Sequence, residues 1–215
     1  VTIAKAAPSL NAPEAITNLI YNGTTQPLTT NGTVAGGEIQ FSTSENGTYA
    51  PAIITGENAG NYEVWYKIIG DNNHTDIAPV KLDISIAQKS VEGANVGSFN
   101  ALTYTGSEQT PVASVTIDGL TATGTWSNVT NVEDVTTFTA SGNFTGTIAN
   151  QSTGMAKATP VVTAPVAKAS LIYNTFALAL ADEGSTTGGT IQYSLDNISW
   201  SNDIPSRTNA GDYTI

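Results

Sequence analysis

Few side chains in this sequence could do chemistry, and the densest group of them is Asp71-Asn72-Asn73-His74-Thr75-Asp76, which holds the single histidine. Asp71 and Asp76 offer hard carboxylate oxygens of the kind that bind calcium. The loop lacks the acid-rich spacing and the glycine that give an EF-hand loop its ligands and its sharp turn. The plainer expectation is a tight turn held by Asx side-chain hydrogen bonds, with Asp71 and Asp76 kept as weak metal candidates. A serine–histidine–acid triad would have to use His74, and no Gly-x-Ser-x-Gly elbow accompanies it. Paired carboxylates for glycoside hydrolysis need only meet in space, yet nothing singles out a pair among the 18 acidic residues. The chain has no cysteine, which excludes a thiol nucleophile and a cysteine zinc site. No catalytic residue and no cofactor is expected, and the chain reads as a non-enzyme.

Trp65 is the weak candidate for a ligand contact. It falls between Glu63 and Lys67 on the outward face of a strand whose Tyr62 and Val64 face the core. A tryptophan there can stack on a sugar ring or anchor a protein contact, or it can be covered by a neighbouring loop or module. Tyr49 and Trp200 occupy matching places after a hairpin, which argues for packing at those positions rather than for a unique site. Asn-x-Ser/Thr recurs, for example at Asn22-Gly23-Thr24 and Asn143-Phe144-Thr145, as a chain rich in Asn and Thr generates it. Lys5, Lys81 and Lys89 could in principle enter a Lys–Asn isopeptide crosslink, but no spacing selects a pair.

The elements that must position these residues are strands. Charged residues make up 12% of the chain against a usual share of about a quarter, and Thr, Ser, Asn and Gly fill the gap. Threonine suits exposed strand faces and the others suit turns, so an all-β fold is expected. Ile39 and Phe41 alternate with Glu38, Gln40 and Ser42. Tyr62, Val64, Tyr66 and Ile68 alternate with Glu63, Trp65 and Lys67, and Val80, Leu82, Ile84 and Ile86 alternate with Lys81, Asp83 and Ser85. Ser44-Glu45-Asn46-Gly47 is hairpin chemistry, with Asn-Gly expected to supply positive φ. No apolar run is long enough to span a membrane. The net charge of -11 repels phosphate backbones and anionic lipid, so nucleic-acid binding and membrane insertion of this segment are not expected.

Two stretches anchor the organisation. Asn58-Ala59-Gly60-Asn61-Tyr62 returns as Asn209-Ala210-Gly211-Asp212-Tyr213, each a polar turn running into a tyrosine that could lock a corner between two sheets. Val64 and Ile215 stand where such corners place a core residue. Lys5, Pro8, Pro13, Tyr21 and Asn22 recur at one constant offset as Lys157, Pro160, Pro165, Tyr173 and Asn174. Gly36 to Ser42 recurs at the same offset as Gly188 to Ser194. A third, divergent copy lies between them, with Val135 in place of the corner tyrosine and Trp126 as its expected core aromatic. Its closing strand, around Ile148–Met155, alternates poorly and is expected to be the least defined. The division is therefore residues 1–5 as the closing strand of a preceding repeat, 6–88 as repeat 1, 89–158 as the divergent repeat 2, and 159–215 as a truncated repeat 3. Joints without a Gly/Ser spacer favour a semi-rigid rod.

The run from Lys157 through Ile215, with Leu171-Ile172-Tyr173-Asn174, Gly188 to Ser194 and Asn209 to Tyr213, resembles the tandem immunoglobulin-like repeats of the MBG type. The middle copy is similar to the related repeat with Leu-Thr-Tyr-Thr-Gly and Gly-Asn-Phe-Thr-Gly. The resemblance implies tandem immunoglobulin-like β-sandwiches from a large bacterial surface or adhesin-like protein. It implies an extracellular, cell-surface segment that acts as a stalk and in adhesion, toward a host or cell-surface protein or glycan. It carries no catalytic residues. The alternatives are a carbohydrate-binding sandwich module using Trp65, and a filament subunit assembled by strand complementation.

The last alternative comes from the ends. Val1-Thr2-Ile3-Ala4-Lys5 reads as a closing strand rather than a secretory leader, so the chain is expected to be an internal piece of a longer one. The third copy is expected to be incomplete and poorly ordered near Ile215, or to be completed by a strand such as Val1–Lys5 from a neighbouring chain.

Overall fold

The computed structural model describes residues 1–215. The chain is all-β, has no helix, and builds several small sheets. It divides into two compact units: Val1–Leu102 with Gly106–Met155, and Thr103–Thr105 with Ala156–Ile215.

The first unit holds two hydrophobic cores. The first core lies on a four-stranded sheet in the order Leu19–Ile20, Ile77–Ala87, Gly60–Gly70, Gly37–Ser42. The central pair is a long antiparallel hairpin with Tyr62 opposite Ile84 and Val64 opposite Leu82. The expected alternation is realised over most of its length: Val64, Tyr66, Ile68, Ile84, Ile86 and Phe41 are buried, with Leu28 packed among them, whereas Val80, expected on the inward face, is exposed. Side chains of this size contribute about 1.5–3 kcal/mol each on full burial. The Tyr62 hydroxyl donates to the Asn58 carbonyl at 2.6 Å, which forms the corner read from the sequence. Gly56 lies under that ring; a Cβ there would stand 2.8 Å from Tyr62 Cζ, so glycine permits the approach.

The second core gathers Val91, Val115, Trp126, Phe138 and Phe144. Trp126 packs on Phe99 and Phe138, and its Nε1 donates to the Ala113 carbonyl at 2.9 Å, so its one polar atom is satisfied. The hairpin Val115–Ile117 to Leu120–Thr121 turns through Asp118 and Gly119, both with positive φ, the Asp-Gly signature of a two-residue turn.

Three local expectations are corrected. The turn at Ser44 closes with Gly47 N–H on the Ser44 carbonyl at 3.2 Å, but neither Asn46 nor Gly47 takes a positive φ. The strands on either side rejoin only at Phe41 and Ala50, so the connection is a wider loop and needs no mirror-image turn. The closing strand of the middle copy, Thr147–Ser152, is a full six residues paired to Val135–Ala140 across a bulge. It lies at the edge of its sheet with only Ile148 packed on the core, which is why its alternation reads poorly. Val1–Lys5 forms no strand.

The second unit is assembled from strands of two or three residues: Val161–Thr163 with Ser185–Thr187, Val166–Ala167 with Ala181–Asp182, and Leu178–Ala179 with Ser206–Arg207. Its buried apolar residues are Leu180, Ala181 and Tyr193. Ile215 is exposed and outside any strand, not a core residue. The physical reason is visible at Tyr193, the counterpart of Phe41. Phe41 pairs with Tyr66 on one edge and Ala50 on the other, whereas Tyr193 pairs with Ser201 alone. Three pairs of corresponding positions nevertheless share a backbone conformation, while Gly32 and Gly60 have positive φ that Gly184 and Gly211 lack. Asn18 and Ser170 have φ 59 and 61, Gly23 and Thr175 have φ 74 and 72, and Gly36 and Gly188 have φ 93 and 83.

Candidate functional site

The 70–76 loop joins the two long strands of the first sheet, and its polar groups are turned on the loop itself. Asp71 Oδ1 accepts from Asn73 N–H at 2.8 Å and from His74 Nδ1 at 2.7 Å. Asp76 Oδ1 accepts from Gly70 N–H at 2.8 Å. The His74 hydrogen bond, with the Asn73 amide second, holds the Asp71 carboxyl below the usual carboxylate range. Lys5 Nζ and the strand-like contact of Ala6 with Asn73 and Thr75 brace the loop from outside. The two carboxylates thus serve different hydrogen bonds, and no three ligating side chains converge here.

Trp65 is half-buried, directly across from Ser42 on one side and Lys81 on the other. Around it lies a charged outer face. Lys81 bridges Glu63 at 2.6 Å and Asp83 at 2.9 Å, which raises the lysine pKa. Lys67 stacks over the Tyr49 ring at 4.3 Å. The ring–ring contacts of this unit join Tyr21, Phe99, Trp126, Phe138 and Phe144, and Trp65 enters none of them.

Trp200, the counterpart of Tyr49, is exposed beside a groove of about 770 Å³ that also involves Tyr193, Gln192, Asp196 and Asn197. Asp196 is spent on its own turn: amides of Ser199 and Ile198 and the Ser194 hydroxyl hold its pKa down at about 2. Tyr193, which lines the groove, pairs with Ser201 on one side only.

A further polar constellation is not singled out by the sequence. It lies where the two cores of the first unit meet. Tyr21 packs against both cores, edge-on to Phe144 at 5.4 Å and 78°. One residue, Gln88, separates the strand ending at Ala87 from the strand Lys89–Ser90. Gln88 Nε2 donates to the Gly142 carbonyl at 2.7 Å, and Lys89 N–H donates to the Asn143 carbonyl at 2.9 Å. Asn143 then clasps the corner of the first core. Its Oδ1 accepts from Ala59 N–H at 2.9 Å, and its Nδ2 donates to Asn58 Oδ1 at 2.9 Å. Leu120 closes over Gly23, with Cδ2 2.5 Å from where a Cβ would stand. Hydrogen bonds of this kind contribute about 0.5–1.5 kcal/mol each and the aromatic edge contact about as much again. The signal available in the sequence was that Asn58 opens the corner motif without an apolar role of its own.

Comparison of the chain with protein-family models, curated proteins and solved structures gives no match.

Proposed function

We propose that this chain is a non-catalytic structural and adhesive segment, a stalk, of an extracellular bacterial cell-surface protein, built from tandem immunoglobulin-like sandwiches. The observation that carries the reading is the joint at Gln88. Two cores are joined through a single residue, share the Tyr21 ring, and are tied by the Asn143 amide. A joint with both apolar contact and directional hydrogen bonds resists bending in a way a flexible linker does not. The resemblance to MBG-type repeats, the acidic Thr/Ser/Asn-rich composition and the hydrogen-bonded state of the Asp71 and Asp76 carboxylates support the same conclusion.

The test is a distance distribution between spin labels at Glu45→Cys and Glu133→Cys, on exposed turns of the two cores. The native chain has no cysteine, so labelling is clean. A single narrow distribution is expected; a broad one of the kind produced by a flexible tether would end the stalk reading. A binding screen against glycans and host surface proteins tests the adhesive part.

A further inference from the structure

The second unit repeats the residues of the socket that holds Asn143-Phe144 in the first. In the first unit the socket is made by Tyr21, whose ring meets Phe144, and by the corner Asn58-Ala59, which binds the Asn143 amide. Their counterparts by sequence are Tyr173, Asn209 and Ala210. Two of its hydrogen bonds are repeated there, although Gly211 lacks the positive φ of Gly60 and lies outside any strand. Tyr213 Oη donates to the Asn209 carbonyl at 2.9 Å, as Tyr62 does to Asn58. Asn174 Oδ1 accepts from Phe176 N–H at 3.0 Å, as Asn22 does from Thr24 at 3.0 Å. Tyr173, Asn209, Ala210 and Tyr213 border a groove of about 140 Å³, and Tyr173 is 58% exposed. A cavity of about 150 Å³ is enough to take up benzene, so the groove has room for one aromatic ring.

We propose that this groove is a docking site for a further β-module presenting a Gly-Asn-Phe turn, its phenylalanine against Tyr173 and its asparagine amide on Ala210 N–H and Asn209 Oδ1. A second copy of this chain does not supply that turn, because its Phe144 is 3% exposed and engaged in its own joint. The socket also has a built-in selectivity. Where the first unit has Gly23 beneath Leu120, the second has Thr175 at nearly the same φ, so by the geometry of the first unit a leucine approaching as Leu120 does would meet its Cβ. The fitting module therefore carries a smaller residue where the middle module has Leu120.

The inference rests on the joint being a stalk element, but the joint can be stiff while this groove binds nothing, so the two fail separately. The probe is a cyclised peptide copying residues 139–147, titrated into the full chain and followed by amide NMR. The expected result is a saturable shift of Ala210 and its neighbours, lost when the peptide asparagine is replaced by alanine and lost in the Tyr173→Ala chain. Tyr173 is exposed, so that variant keeps its fold. Absence of a shift at Ala210, a shift that survives either alanine change, or shifts that track self-association of the chain would each overturn the proposal. A second measurement concerns selectivity. Gly23→Thr is expected to broaden the label distance distribution across the first joint, and Leu120→Ala added to it is expected to narrow it again. A joint indifferent to Gly23→Thr would refute the selectivity.

Discussion

The Asn58–Asn143 pair permits a perturbation whose sign depends on pH. In the native joint Asn143 acts as acceptor to Ala59 N–H and as donor to Asn58 Oδ1. Asn58→Asp keeps an acceptor for the Asn143 amide. Asn143→Asp keeps an acceptor for Ala59 N–H, and Asn58 can flip its amide to donate to the other oxygen. Either single change should leave the joint closed. The double variant places two carboxylates where 2.9 Å now separates donor from acceptor. Two like charges at that range repel by about 1.5–6 kcal/mol for effective dielectric constants between bulk water and a protein surface. The pair is exposed, so the lower part of that range applies, and about 1 kcal/mol is added for the lost hydrogen bond. In the closed joint one of the two carboxyls has its pKa raised by the other, above the roughly 3.9 of an open joint. Closure is then fully favoured below about pH 4, where a shared proton bridges the pair, and is lost as pH rises through the raised value. Label distances between Glu45→Cys and Glu133→Cys at pH 3.5 and 7.5 read this directly. Near-UV spectra of the buried Trp126 check that the second core stays folded. If either single variant loosens the joint as much as the double, or the double shows no pH dependence, the amide pair is not the clasp described above.

Four further outcomes follow from the same geometry. Tyr62→Phe should destabilise the first core by about 0.5–1.5 kcal/mol in denaturant unfolding, toward the low end because water can reach the freed Asn58 carbonyl; an unchanged midpoint would mean the hydroxyl is not locking the corner. Thr175→Gly should stabilise the second unit by about 1 kcal/mol, since a β-branched residue at φ 72 is strained; hydrogen exchange of residues 178–181 is the measure, and slower exchange is expected. Asp196 binds the Ile198 and Ser199 amides as a carboxylate, so that turn should hold above about pH 4 and loosen as pH falls through about 2, seen as an Asp196-dependent shift of both amides that disappears in Asp196→Asn. EDTA should leave the melting temperature unaltered, because Asp71 and Asp76 already serve hydrogen bonds of the loop; a drop reversed by calcium would contradict this.

The long strands were legible because period-2 alternation reports burial on one face, and Gly60–Gly70 has a long and regular run of it. The Tyr62 corner was legible because a tyrosine after a polar turn has a specific job that two copies of the motif repeat. The Asn143 clasp was hidden for the opposite reason. It joins residues 85 apart in sequence through side chains with no hydrophobic period, and such a contact is specified only once both cores exist. The Asp118-Gly119 turn follows the plain Asp-Gly signal, whereas Asn46-Gly47 carries the same kind of signal and the structure does not use it. Alternation sets Trp65 apart from its buried neighbours Val64 and Tyr66, but its half-burial beside Ser42 and Lys81 is not visible in alternation alone.

The parallel strand pairs bear on what happens when such a chain is pulled. Leu19–Ile20 runs alongside Ile86–Ala87 in the same direction, and Lys89–Ser90 runs alongside Phe144–Thr145 likewise. Each pair joins residues near the start of a core to residues near its end. Tension applied along the chain therefore drags the two partners in opposite directions along their common axis. Their hydrogen bonds are loaded in shear, together, instead of being unzipped one after another from a hairpin end. Gln88 sits between the two pairs, so a pull that opens one must act through the backbone that anchors the other. In a chain with no disulfide to limit extension, these short pairs are the places where resistance to force would first be felt.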